Sequence, residues 1–144
     1  MKRFFSISLL MVIIIIVSLR AIKILFPSDR EIIFRLVEKG RGAIEKRELK
    51  TITELLSFDY LDAWGHDYYG LISFFRQNFQ LYDEIRVFLP FRKLNVEKPF
   101  ARCSLYVRVL GKERNYGEEL LYASPLVIYL IKEDNHWYII SASE

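Results

Sequence analysis

The chain of 144 residues holds one cysteine, two histidines, four prolines and six glycines. A single cysteine excludes a disulfide scaffold, and beside only two histidines it excludes the ligand spacing of a zinc finger or ribbon. Scarce glycine and proline exclude collagen-like and low-complexity chains, and an apolar content of 52% excludes disorder. Neither a glycine-rich phosphate loop nor a nucleophile elbow occurs. Acidic residues are absent from residues 1–26, where Lys2, Arg3, Arg20 and Lys23 stand. The formal charge of +3 and pI near 9.0 therefore belong to that segment. The remainder carries one more acid than base, so the basicity gives no support to nucleic-acid binding.

What is present is a long apolar run. Residues 4–19 are interrupted only by Ser6, Ser8 and Ser18, and a helix of that length spans about 24 Å. A bilayer core is about 30 Å thick, so a spanning helix continues to Phe26, with Arg20 and Lys23 snorkelling to the interface. A cleaved signal peptide has the same basic and apolar regions, but no Ala-x-Ala-like triplet lies near residues 17–23. The reading is a signal-anchor over 1–26 and a folded domain over 27–144. Basic residues on both flanks weaken the positive-inside signal, and the expectation is a short cytoplasmic N-terminus with the domain outside.

Past Pro27, Ser28-Asp29-Arg30-Glu31 reads as a capping box opening a first helix, with Ile32, Ile33, Leu36, Val37, Ala43 and Ile44 at helical spacing. Gly40 and Gly42 predict a kink or a close crossing in it. A second helix carries Leu49, Ile52, Leu55 and Leu56. A third begins near Asp67, with Tyr68, Leu71, Ile72, Phe75, Phe79 and Tyr82 forming a stripe. After Tyr82 the period changes to 2: Ile85, Val87, Leu89 and Phe91 are expected on one face, then Ala101, Cys103, Leu105, Val107 and Val109. Residues 120–131 and 136–140 are apolar on both faces and are linked through a hairpin turn at Glu133-Asp134-Asn135. Three helices followed by about four antiparallel strands make an α+β domain.

This order of elements over residues 29–144 resembles the nuclear transport factor 2-like superfamily of ketosteroid isomerase-like and SnoaL-like domains. Two local pieces carry the resemblance: Glu45-Lys46-Arg47-Glu48-Leu49 leading to Leu55-Leu56-Ser57-Phe58-Asp59-Tyr60, and the closing His136-Trp137-Tyr138-Ile139-Ile140. The resemblance implies a cone, in which a curved antiparallel sheet curls around the third helix and leaves room for a pocket. It does not imply an activity, because the fold hosts enzymes, ligand binders and interaction modules. No ketosteroid isomerase-like catalytic set maps onto this chain: the first helix offers no tyrosine and the core face of residues 101–109 no carboxylate.

The densest chemistry is Asp59, Asp62, His66 and Asp67. Asp59 and Asp67 could cap turns and helix starts with His66 solvated, or the group could form an acid and base pair at a pocket mouth or share a metal. Tyr60, Trp64, Tyr68 and Tyr69 surround the same loop, either closing a core or lining a pocket. The candidate pocket-mouth contacts are thus Asp59, Tyr60, Asp62, Trp64, His66 and Tyr69. Cys103 reads as a small buried hydrophobe and His136 as a surface residue. Arg86, Arg102, Arg108 and Tyr106 read as a solvated sheet face or dimer rim, since acids surround them.

The expectation is a membrane-anchored, non-catalytic binding or assembly module without cofactor or metal. Its partners are the bilayer and, through the sheet face, a second copy of itself. The alternatives are an enzyme or carrier for a small apolar molecule, and a structural subunit of a membrane complex. An enzyme or carrier requires an open pocket beside the third helix, and a space filled by Phe75 and Phe79 excludes it.

Overall fold

The computed structural model describes residues 2–144. Helix α1 (Lys2–Leu25) is continuous. From Ser8 to Leu25 it is long and apolar enough to cross a membrane, and none of that stretch is buried against the rest of the chain. Phe26, Pro27 and Ser28 separate it from α2 (Asp29–Glu45). Then follow α3 (Leu49–Leu55), α4 (Tyr68–Leu81), β1 (Glu84–Glu97), β2 (Phe100–Lys112), β3 (Glu118–Glu133) and β4 (His136–Ser143). The four strands form one open antiparallel sheet in the order β1-β2-β3-β4, so the doubly apolar β3 is internal.

Ser28 caps α2 by accepting the Glu31 amide at 3.3 Å, which is one half of the expected capping box. Ile33, Leu36 and Val37 then face the sheet, where they pack with Val87, Leu94, Cys103, Leu105, Leu130 and Trp137. α2 runs unbroken through Gly40 and Gly42. Of the two expectations for these glycines, Gly40 fits a close crossing, since a β-carbon there would stand 3.4 Å from Leu55 Cδ1 of α3. A second cluster, Ala43, Ile52, Leu56, Tyr60 and Ile72, ties α3 to α2 and α4.

The N-terminus of α2 is anchored by charge. Asp29 Oδ1 accepts from Lys132 Nζ at 2.7 Å and from Trp137 Nε1 at 2.9 Å, and Oδ2 lies 2.7 Å from Lys98 Nζ. One carboxylate therefore joins the first turn of α2, where the helix dipole favours it, to both hairpin ends of the sheet. The free edge of β1 is blunted by the same helix: Glu45 Oε1 accepts the Val87 amide at 3.0 Å, and Arg30 donates to the Leu94 carbonyl at 3.3 Å.

One strand expectation is corrected. Ile85 and Val87 face inward, but Phe91 is 55% exposed and Leu94 is buried. The pairing register shifts between Phe88 and Phe91, so an extra residue enters β1 beside Pro90 and every later side chain changes face. Register shifts also fall between Val109 and Leu110 and between Tyr129 and Leu130. Each bends its strand and contributes to the curl of the sheet. Gly111 faces this hollow where α4 ends, since a β-carbon there would lie 2.5 Å from Leu121 Cδ1.

Asp67 caps α4, with its Oδ1 accepting the Gly70 amide at 2.7 Å. Asp67→Ala is expected to cost about 1 kcal/mol, read as a lower urea midpoint with an unchanged slope.

Candidate functional site

Between α3 and α4 the chain does not loop freely. Ser57, Leu61 and Ala63 donate their amides to the carbonyls of Ile139, Ile140 and Ala142 at 2.9, 3.1 and 2.9 Å. This irregular segment covers the outer edge of β4 and holds its side chains against the hollow of the sheet. Gly65, at φ 88°, then turns the chain in the left-handed region that glycine favours. The turn is closed by bonds from the Gly65 amide to the Asp62 carbonyl at 3.2 Å and from the Asp62 amide to the His66 carbonyl at 3.0 Å.

Asp62 is the centre of this turn, and its side chain is 1% exposed. Oδ1 accepts the amides of Trp64 at 3.0 Å and His66 at 2.8 Å. Oδ2 accepts the Tyr60 hydroxyl at 3.2 Å and meets His66 Nδ1 at 3.0 Å. Burial opposes ionisation of this carboxyl, but the bonds from the His66 amide and imidazole and the Trp64 amide outweigh it, and Asp62 titrates below its usual range. The phenol of Tyr60 is pushed above its ordinary value by burial and by the adjacent Asp62 carboxylate. An ionised carboxylate only accepts, so His66 carries its proton on Nδ1, and in the neutral ring Nε2 bears the lone pair. Among the described residues Nε2 has no hydrogen-bond partner.

Behind this turn lies a cavity of about 700 Å³ between α4 and the sheet. Ile44 and Leu55 form one wall, Leu71, Phe75 and Phe79 of α4 another, and Val107, Leu126, Ile128 and Ile139 of the sheet a third. Phe75 and Phe79 line this space without filling it. Its few polar side chains include Asp62 and His66 at one end and Asn78, Tyr82 and Tyr122 along α4 and β3.

Of the six candidate residues, Tyr60, Asp62, Trp64 and His66 are part of the cavity wall. Asp59 is exposed and Tyr69 is 74% exposed, and neither contributes to the wall. Asp59 caps no turn with its side chain: the hydroxyl of Ser57 takes that role by accepting the Asp59 amide at 3.2 Å. Of the four aromatics around the loop, Tyr60 is buried while Trp64 remains 49% exposed. Among the described residues no group of three or more His, Cys, Asp or Glu is placed to hold a metal ion. Asp62 spends both its oxygens on protein donors, which leaves it a poor ligand. Cys103 is fully buried, and burial pushes its thiol up, so it is no nucleophile. His136 is exposed and bonds the Asp134 carbonyl through Nδ1 at 2.8 Å.

Asn78, Tyr82 and Tyr122 were not among the candidates. Asn78 had a signal, lying at helical spacing between Phe75 and Tyr82 of the aromatic stripe, of which Tyr82 is itself a member. Tyr122 had none, because β3 is apolar on both faces and its inward side is set by the register shift in β2 and β3.

No family model and no curated protein matches the sequence. Solved structures do match. A conserved protein from Planctomyces limnophilus superposes with a TM-score of 0.73 at 15% identity, over 81% of this chain and 94% of that one. A nuclear transport factor 2-like superfamily protein from Salmonella enterica superposes at 0.67 and 12% identity, over 76% and 84%. The chain has the nuclear transport factor 2-like fold. A proposed scytalone dehydratase from Novosphingobium aromaticivorans shares this fold at a TM-score of 0.72 and 10% identity, over 79% and 80%. The expectation that the sheet curls around the third helix is corrected here: α2 packs directly on the sheet, and α4 stands off it across the cavity. Identities this low carry the fold and leave the activity open.

Proposed function

We propose that this chain is a membrane-anchored binding protein whose domain, on the extracytoplasmic side, holds a small and predominantly apolar molecule inside the cone. The observation that carries the reading is the open apolar cavity of about 700 Å³ beside α4. Apolar walls supply affinity, and a few placed polar groups supply orientation. His66 receives the polar end of the ligand through Nε2, and Asp62 holds the ring in the required tautomer.

A second reading, proton-transfer catalysis, is favoured by one observation: a buried carboxylate bonded to Nδ1 of a cavity imidazole is the arrangement that makes Nε2 a base. The two readings separate on turnover and share the binding step.

The test uses the full chain in phosphatidylcholine nanodiscs and the neutral fluorophore N-phenyl-1-naphthylamine, with empty nanodiscs subtracted. Saturable binding is expected. Leu126→Trp, which fills the middle of the cavity, is expected to weaken it at least about tenfold while circular dichroism is unchanged. Equal affinity in the variant removes the cavity from the reading.

A further inference from the structure

A second depression of about 390 Å³ lies at the far end of α4, lined by Lys46, Arg47, Leu49, Arg76, Phe79 and Gln80. Phe79 is common to this depression and to the cavity, so the basic rim adjoins the apolar interior at that ring. The rim is assembled by backbone geometry. Arg47 follows the end of α2 at φ 58°, where the Glu48 amide returns to the Ala43 carbonyl at 2.8 Å. Its guanidinium crosses to the end of α4 and donates one bond to the Tyr82 carbonyl at 3.1 Å. Arg76 projects from α4 one turn before Phe79 and Gln80.

Glu45 and Glu48 flank Lys46 and Arg47 in the chain, but Glu45 is engaged by Arg41 and the Val87 amide and Glu48 by Thr51. Arg41, Arg86, Arg92 and Arg114 each pair with a carboxylate. Among the described residues Lys46, Arg47 and Arg76 pair with none. Three cations lining one depression at the edge of an apolar cavity, none of them in a salt bridge, make a receptor for an anionic group. The other end of the cavity has the opposite character, because the ionised Asp62 repels an anion there.

We infer that the ligand is an apolar anion, an aliphatic or aromatic body carrying a carboxylate-class group, with the body inside the cone and the charge on Arg47, Arg76 and Lys46. This rests on the cavity being the binding site, as proposed above, and adds the class and the direction of the ligand. From Tyr68 to Phe79 the helix rises about 17 Å. A ligand that reaches both His66 and the rim has a body of about that length.

The experiment compares two probes with one aromatic body, 8-anilinonaphthalene-1-sulfonate and the neutral N-phenyl-1-naphthylamine, on the full chain in phosphatidylcholine nanodiscs. In the Arg47→Gln/Arg76→Gln double variant the sulfonate is expected to bind about tenfold more weakly, the loss of charge-assisted hydrogen bonds, and the neutral probe within about twofold of its original affinity. Arg47 also braces the end of α4, so its variant alone could weaken both probes. Arg76→Gln, with no protein partner to lose, carries the decision: a selective loss of sulfonate binding supports the rim, and unchanged sulfonate binding overturns it. If neither probe binds the wild-type chain, the cavity reading falls too. If the neutral probe binds, is blocked by Leu126→Trp, and the sulfonate is indifferent to both arginines, the ligand-class inference alone falls.

Discussion

Asp29→Ala is expected to destabilise the domain by about 2 kcal/mol, the cost of leaving the partly buried Lys132 ammonium and an indole N–H without their acceptor. The side chain of Asp29 is 10% exposed and serves Lys132, Lys98 and the indole of Trp137. Its loss strands the Lys132 ammonium and an indole N–H and unties α2 from both hairpin ends, whereas Lys98, with a side chain 66% exposed, turns to water. The pH dependence is a sharper readout than the midpoint alone. Bonds from Lys132, Lys98 and Trp137 hold the Asp29 carboxyl well below the usual carboxylate range, whereas in the unfolded chain an aspartate titrates near about 3.9. The unfolded state therefore binds more protons in acid, and stability rises with pH. The contribution of Asp29 is complete above about pH 5 and is lost progressively as pH falls below that. Urea titrations of the full chain in nanodiscs, followed by tryptophan fluorescence, are expected to show a wild-type advantage over Asp29→Ala that is full at pH 7 and shrinks towards pH 3. A constant gap across that range would remove the carboxylate from the account.

The second large effect is at Asp62. Asp62→Ala leaves the Tyr60 hydroxyl, the imidazole of His66 and two backbone amides without their acceptor inside a turn that is 1% exposed at the side chain. The expected loss is about 3 kcal/mol, from the buried Tyr60 hydroxyl and three part-buried donors left without an acceptor at once. Asp62→Asn keeps the volume and one acceptor oxygen but presents an amide N–H to donors, and it is expected to cost about 2 kcal/mol and to release the His66 ring from its tautomer. The nuclear magnetic resonance signals of the His66 ring nitrogens report that release. A ring that keeps its proton on Nδ1 in Asp62→Asn would mean that the carboxylate does not orient it. Stability alone cannot separate orientation from packing, and the ring signal does.

These two aspartates show how unevenly the sequence discloses its own structure. Ser28 and Asp67 are legible because a cap acts on amides three residues away, so its signal is local. Asp29 looks like an ordinary first-turn acid, and its partners Lys98, Lys132 and Trp137 are distant in the chain. Four of the six residues singled out around the loop come to the cavity because they share one turn, and turn chemistry is short-range. Asp59 and Tyr69 share the same stretch of sequence and point elsewhere, since the pairing of residues 57–63 with the edge of β4 selects which side chains face inward.

The sequence by itself determined the apolar helix, the element order and the α+β class, because period 3.6, period 2 and long apolar runs are properties of neighbouring residues. It also determined the absence of a cysteine and histidine zinc spacing and of a phosphate loop. The tertiary structure decided everything that depends on register and closure: the reversal of β1 after Phe88, the cavity left between α4 and the sheet, and the meeting of Arg47 with Arg76 at its rim. A single inserted residue exchanges the two faces of a strand, and an empty volume is bounded by side chains far apart in sequence. No local pattern encodes either one.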